Sequence, residues 1–384
     1  MRRIWPFSFY FFYFAAIATL LPYFVPYYGE LGLSGRQIGF LTALPPLITL
    51  VSAPLWTGVA DSTHRHRLVL SLSLLSCITA ILAVSTVSSF WALLPLVVLF
   101  AFAIAPAGPL ADSATMTMLG DEREMYGRVR LGGTFGWGIA SLIVAIAIAQ
   151  TGLHSMFYLF AFFMFITLLV GLKLVFPRAN SRVSVRHGIR SLLDKPRWVL
   201  FLVMAFVGGV GLAVVNTYLV NYMVELGSSK ILIGFTMLIA SLSEIPVFFF
   251  SNRLIKRFKA NGLLRMGLAV TGIRLLLFAI VSMPIGIIFV QLLQGFTFPV
   301  IWVAGVTYAN ENAPAGLSAT AQGLFGSVLM GFGAATGNFF GGILFDAFST
   351  RFMYLFFGIL VLTSLIILSF VERRLPAISY EKAV

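Results

Sequence analysis

The sequence predicts an all-α membrane protein: twelve transmembrane helices in two pseudo-symmetric bundles of six. Three observations carry that expectation. Of 384 residues, 59% are hydrophobic and only 10% charged, with a mean hydropathy of +0.98, whereas an ordinary soluble domain has about 25% charged residues. The apolar residues, 38 Phe among them, are spread along the whole chain instead of being gathered for one core. They also fall into twelve segments of about 20 residues, each long enough at ~1.5 Å per residue to cross ~30 Å of hydrocarbon.

Charge, proline or Gly/Asn clusters bound each segment. The first span covers 7–28. Met1-Arg2-Arg3 before apolar residues has the outline of a signal peptide, but the apolar run continues from Trp5 to Tyr28 and further spans follow, so it reads as a membrane helix. The second, 38–60, leads into a short polar loop. The third, 68–87, holds Cys77, the single cysteine, so the chain has no intramolecular disulfide and no cysteine-based metal site. The fourth, 91–118, contains Asp112. The fifth, 127–149, contains Arg130, Trp137 and a glycine run from Gly132. The sixth is 153–175. The seventh, 198–222, carries Asn216, Tyr218 and Asn221. The eighth, 231–252, carries Glu244, and the ninth, 262–283, carries Arg274. The tenth, 285–309, sets Gln291, Gln294 and Thr297 three residues apart, a polar stripe at mid-depth. The eleventh is 317–344, where Gly323 and Gly331 echo the fifth span, and the twelfth is 351–371. Glycines in both are expected to serve close helix packing.

Between the sixth and seventh spans, 176–197 is the longest polar interval, is basic, and contains Pro177 and Pro196. It reads as a linker. The expected organisation is therefore a bundle over 1–175, the linker over 176–197, and a second bundle over 198–384. If the N-terminus is cytoplasmic, the inside loops and both ends hold 22 of the 26 basic residues, and the outside loops hold only Arg36, Lys230 and Arg351. The net charge of +13 is thus explained by cytoplasmic loops facing anionic lipid, and nucleic acid is not an expected partner.

A charge at mid-membrane costs at least ~2.5 kcal/mol and needs a partner or a wet cavity. Glu244 and Arg274 fall at similar depth, and a pair between them is expected. Asp112 and Arg130 are expected to form another. Each pair is either a static bridge fixing helix register or a functional site, because a carboxyl group that gains and loses an arginine partner in a poorly hydrated cavity can take up and release a proton. Neutral Asn216, Gln291 and Gln294 suit a polar solute. Asn216, Tyr218, Asn221, Tyr10 and Tyr13 also suit plain interhelical hydrogen bonds. Trp137 near mid-membrane can stack on a ring or simply pack.

His64 and His66 flank Arg65 with no carboxylate or cysteine cluster to complete a metal site. No Gly-rich phosphate loop ending in Lys-Ser/Thr supports an ATP-driven pump, and no nucleophile with a base and an orienting partner stands out. No metal, no cofactor and no enzymatic activity are expected.

Several of these residues stand in recognisable strings: Phe11-Phe-Tyr-Phe with Pro22 and Pro26; Pro54-Leu-Trp leading to Asp61; Pro109-Leu-Ala-Asp112; Tyr126-Gly-Arg-Val-Arg130 running into Gly133 and Trp137; then Glu244 and Arg274. Over its whole length the chain resembles the major facilitator superfamily, in the branch containing the lactose/proton symporter, nucleoside symporters and the phenylpropionate permease. The resemblance implies the major facilitator fold, with Arg130 as a solute-binding arginine, Asp112 its acidic partner and Trp137 a stacking ring. It implies an essential acid and arginine at Glu244 and Arg274, and a gating loop at Asp61, Arg65 and Arg67, where the loop signature is reduced to Gly58-Val-Ala-Asp61 with His64-Arg65-His66-Arg67. Gln294 and Thr297 replace the branch's histidine and proton-binding glutamate, so coupling would fall to Asp112 or Glu244, or the protein would be a uniporter.

The expected function is proton-coupled uptake of a small polar solute, such as a sugar, nucleoside or aromatic acid, by alternating access. An efflux antiporter is the rival within transport, and a lipid scramblase or receptor the rival outside it. The expected setting is a bacterial plasma membrane, with membrane lipid, protons and solute as partners, both termini cytoplasmic, and the protein a monomer.

Overall fold

A computed structural model describes residues 3–176, 193–313 and 318–374. Among the described residues the long helices are α1 (Ile4–Glu30), α2 (Gly35–Thr63), α3 (His66–Val84), α4 (Phe90–Leu119), α5 (Tyr126–Thr151), α6 (Ser155–Gly171), α7 (Pro196–Glu225), α8 (Lys230–Phe249), α9 (Ser251–Ile280), α10 (Pro284–Glu311), α11 (Thr320–Ala347) and α12 (Thr350–Arg374). Eleven are long and apolar enough to cross a membrane, while α6 has 17 residues and reaches about 26 Å. No strand occurs among the described residues. Most of the predicted linker, 177–192, lies outside them.

Each predicted span is a helix, with one marked shift. α9 starts at Ser251 rather than near 262, because a basic segment precedes the span and turns a corner at Lys259, which has φ +57°. Local chemistry sets the other boundaries. Ser34 accepts from the Gln37 backbone N–H at 3.4 Å while its own N–H donates to the Gln37 side chain at 3.0 Å, a capping box that starts α2. Ser89 and Ser229 cap α4 and α8 with one bond each, to the backbone N–H groups of Ala92 and Leu232. Large side chains such as Trp91, 77% exposed, and Phe289, 66% exposed, cover the outer surface, as lipid contact requires.

Tight packing inside the first bundle rests on the glycines of α5. A Cβ at Gly132 or Gly136 would overlap the carbonyl groups of Phe7 or Phe11 on α1, so only glycine lets the two backbones approach. Gly136→Val should cost about 1–3 kcal/mol or more, read as a melting temperature several degrees lower for the protein in detergent.

The two bundles meet along α2–α11, α5–α8 and α1–α7. Call the end where α1 begins and α12 stops the terminal end, and its opposite the distal end. At the distal end Gly39 lies against Gly342 and the Phe339 carbonyl, and the Gly35 N–H donates to Asp346 at 2.9 Å. Arg36 adds an ion pair to Asp346 at 3.6 Å. Deeper in, the Asn338 amide donates to the Thr42 carbonyl at 2.9 Å and accepts from Thr217 at 2.7 Å, linking α2, α11 and α7. The distal end is closed. An apolar groove of about 400 Å³, bordered by Val199, Val203 and Val371, lies at the start of α7, away from the polar residues considered next.

Candidate functional site

Two polar clusters face each other between the bundles. In the first, α4 breaks at Pro106 and restarts over Ala107–Leu119, which carries Asp112 beneath α1. Both Tyr10 and Tyr126 donate to Asp112 Oδ1, the latter at 2.9 Å. Arg130 does not reach Asp112, so the expected ion pair is absent. Its guanidinium instead lies 4.2 Å from the Phe14 ring centroid and 4.8 Å from that of Tyr10. The reason is spatial: Gly133 has no Cβ, and one built there would fall 2.7 Å from Arg130 Nη1 and from Phe14, so the glycine opens the slot that the guanidinium fills. Among the described residues, none accepts a hydrogen bond from the Arg130 N–H groups. Trp137, two turns beyond on the same face of α5, is partly exposed.

The second cluster depends on a break in α10. Gly295 sits where a Cβ would strike the Ser243 carbonyl of α8, and its N–H donates to Ser243 Oγ at 3.0 Å. The 3₁₀ segment Leu292–Phe296 therefore presses Gln294 against Glu244. Gln294 Nε2 donates to Glu244 Oε1 at 2.8 Å while its Oε1 accepts from Arg274. Arg274, 2% exposed, also donates to Gln291, and to Thr297 at 3.2 Å. The expected Glu244–Arg274 contact is thus replaced by a relay through one amide. Its physical cause is the α8–α10 approach that Gly295 permits, which sets the Gln294 amide between the carboxylate and the guanidinium. Three neutral acceptors solvate the buried cation.

The clusters are neighbours: a Cβ at Gly138, just over two turns beyond Arg130 on α5, would lie 3.4 Å from Ser241, one turn before Glu244 on α8, and Gln294 joins Glu244 to Arg274 of α9. Asp112, Arg130 and Glu244 are partly exposed. A charged side chain at this depth faces the space between the bundles rather than hydrocarbon.

Asn216 is exposed on α7, whereas Asn221 donates to Glu225 and Tyr218 to the Asn338 carbonyl. Gln291, Gln294 and Thr297 all serve Arg274. In the loop after α2, Asp61 accepts from His66 at 2.7 Å and Arg67 donates to the Leu174 carbonyl at 3.0 Å. Arg65 is exposed. These bonds of Asp61 and Arg67 stay within the first bundle. Among the described residues, no three His, Cys, Asp or Glu side chains gather as a metal site would require. Sequence reasoning missed Phe14 as the seat of Arg130 and Asn338 as a link between bundles, though a lone amide in a glycine-rich span was a signal for the latter.

A family model described as the MFS_1 like family matches residues 5–356. The chain is 28% identical over 378 residues to the maltose permease of Geobacillus stearothermophilus, covering 97% of this chain and 95% of that one. It is 27% identical over 362 residues to the uncharacterized transporter YwbF of Bacillus subtilis, with 92% and 89% covered. The crystal structure of the nucleoside transporter NupG superposes with a TM-score of 0.85 at 16% identity, covering 97% of this chain and 99% of that one.

Proposed function

The chain belongs to the MFS_1 like family and is a multi-pass membrane transporter rather than an enzyme; on that premise we propose that it takes up a small polar solute together with a proton. The observation that supports coupling is the pair of carboxylates between the bundles, Asp112 and Glu244, each held by neutral donors with an arginine close by but not bonded to it. A carboxyl group so placed changes its arginine contact with a small side-chain movement, and protonation follows.

In this reading the unit over 1–175 rocks against the unit over 198–384, with 176–197 as the connection. The terminal end is cytoplasmic, because it carries most of the basic residues, so distal closure makes this an inward-facing form. Asp112, Arg130, Trp137, Asn216, Gln291 and Gln294 form the solute site, directly or by positioning Arg274; Glu244, Arg274 and Asp112 form the coupling site. Asp61, Arg65 and Arg67 meet the second bundle when the terminal end closes. The protein acts as a monomer in a bacterial inner membrane.

Uptake into proteoliposomes tests this. Sugars, nucleosides and aromatic acids are offered with and without an inward proton gradient. At least one class should accumulate only with the gradient; equilibration without accumulation would mean uniport, and gradient-driven export would mean antiport. Orientation is tested separately with a cysteine at Arg65 or Arg36, since native Cys77 is fully buried. An impermeant maleimide on intact cells should label position 36 and spare position 65. The reverse pattern would invert the topology.

A further inference from the structure

Four charged side chains belong to the two clusters, Arg130 and Arg274, Asp112 and Glu244, beside the neutral hydroxyls of Tyr10 and Tyr126. α8 packs against α5 and α10, and more lightly against α7 and α9. The charged groups these elements bring towards Glu244 are Arg274 of α9, joined to it through Gln294, and Arg130 of α5, the helix whose Gly138 packs on Ser241 of α8, while α10 contributes the uncharged Gln291, Gln294 and Thr297. With both carboxylates ionised the set is neutral. Adding the coupling proton to Glu244 leaves one uncompensated positive charge.

That charge has a receptor ready for an anion. The Arg130 guanidinium lies over the rings of Phe14 and Tyr10, and among the described residues none accepts from its five N–H donors. Asp112, the nearby acid on the same side, is occupied at Oδ1 by two tyrosine hydroxyls. A stacked guanidinium with free N–H edges matches the two oxygens of a carboxylate. Phe14 and Tyr10 beside the guanidinium, with Trp137 two turns along α5, suit an aromatic body.

We infer that the solute is a monoanion, an aryl carboxylate, carried one-to-one with a proton. The assignment rests on the proton-coupled reading above. The balance is simple: the proton binds Glu244, the carboxylate binds Arg130, both are delivered to the same side, and net charge moved is zero.

The test uses the whole protein in liposomes with 4-hydroxyphenylacetate, its primary amide, and maltose. Each is offered under an inward proton gradient, and then under a potassium diffusion potential of about 100 mV, negative inside. A neutral solute carried with one proton would accumulate about 50-fold on that potential alone. We expect the carboxylate to accumulate with the proton gradient, to be indifferent to the potential, and to be taken up at least about tenfold faster than the amide. In detergent, Arg130→Gln should erase the preference for carboxylate over amide in a binding titration, and Arg130→Lys should retain part of it. Potential-driven accumulation of maltose or the amide would overturn the anion assignment while leaving proton-coupled uptake standing. No protein-dependent uptake of any probe under the proton gradient would overturn both.

Discussion

Arg130→Ala is expected to abolish solute binding, with affinity falling about 100-fold or more, in a protein that still folds and inserts. The fold should survive because the arginine makes no hydrogen bond within the bundle. Its stacking on Phe14 and Tyr10 contributes only about 0.5–2 kcal/mol. Binding should not survive, because the other guanidinium of the site, that of Arg274, already donates to Gln291, Gln294 and Thr297. Lysine should rescue poorly, since an ammonium presents one point charge and cannot lie flat between two rings. A binding titration on purified protein, with its melting temperature as the folding control, decides the matter. Wild-type affinity in the alanine variant would remove Arg130 from the site.

Glu244→Gln should separate exchange from accumulation. The amide mimics the protonated acid, so the variant should still exchange labelled solute across the membrane, while accumulation under a proton gradient falls to equilibrium. The relay makes the substitution mild in structural terms, because the new side-chain carbonyl still accepts from Gln294 Nε2, as Glu244 Oε1 does at 2.8 Å. Arg274 keeps its bonds to Gln291 and Thr297. Gradient-driven accumulation equal to wild type would clear Glu244 of the coupling role, and Asp112→Asn would then be the variant to measure.

The architecture was legible because it is written in hydrophobicity: a run of about 20 apolar residues has few alternatives to a membrane helix. The residues of the site were legible for a related reason, since Asp112, Glu244 and Arg274 stand out as charges where charge is costly. Their pairing was not legible. Both expected ion pairs are interrupted by neutral groups, Tyr10 and Tyr126 at Asp112 and Gln294 at Glu244, and the interruption follows from how closely two backbones approach. Gly295 decides that approach at Glu244, and Gly133 opens the slot that takes Arg130 away from Asp112; in sequence a glycine in a membrane helix looks the same whether it faces a neighbour, a cavity or lipid. The corner at Lys259 was hidden because a basic residue beside a span reads as loop, whatever its φ.

The α2–α11 seam has a thermal consequence. Where Gly35, Gly39 and Gly342 meet, backbone lies on backbone: a Cβ at Gly342 would overlap the Gly35 carbonyl and the Gly39 Cα. The α5–α8 seam is similar, with Gly234 set against the Ser141 carbonyl and the Ala145 methyl. Parting such surfaces uncovers little hydrocarbon, and exposed hydrocarbon is what gives protein transitions their large heat capacity. Opening the distal end should therefore have an enthalpy that barely changes with temperature. The populations of the two forms should follow a nearly straight van't Hoff line, unlike the curved one expected when the same helices unfold.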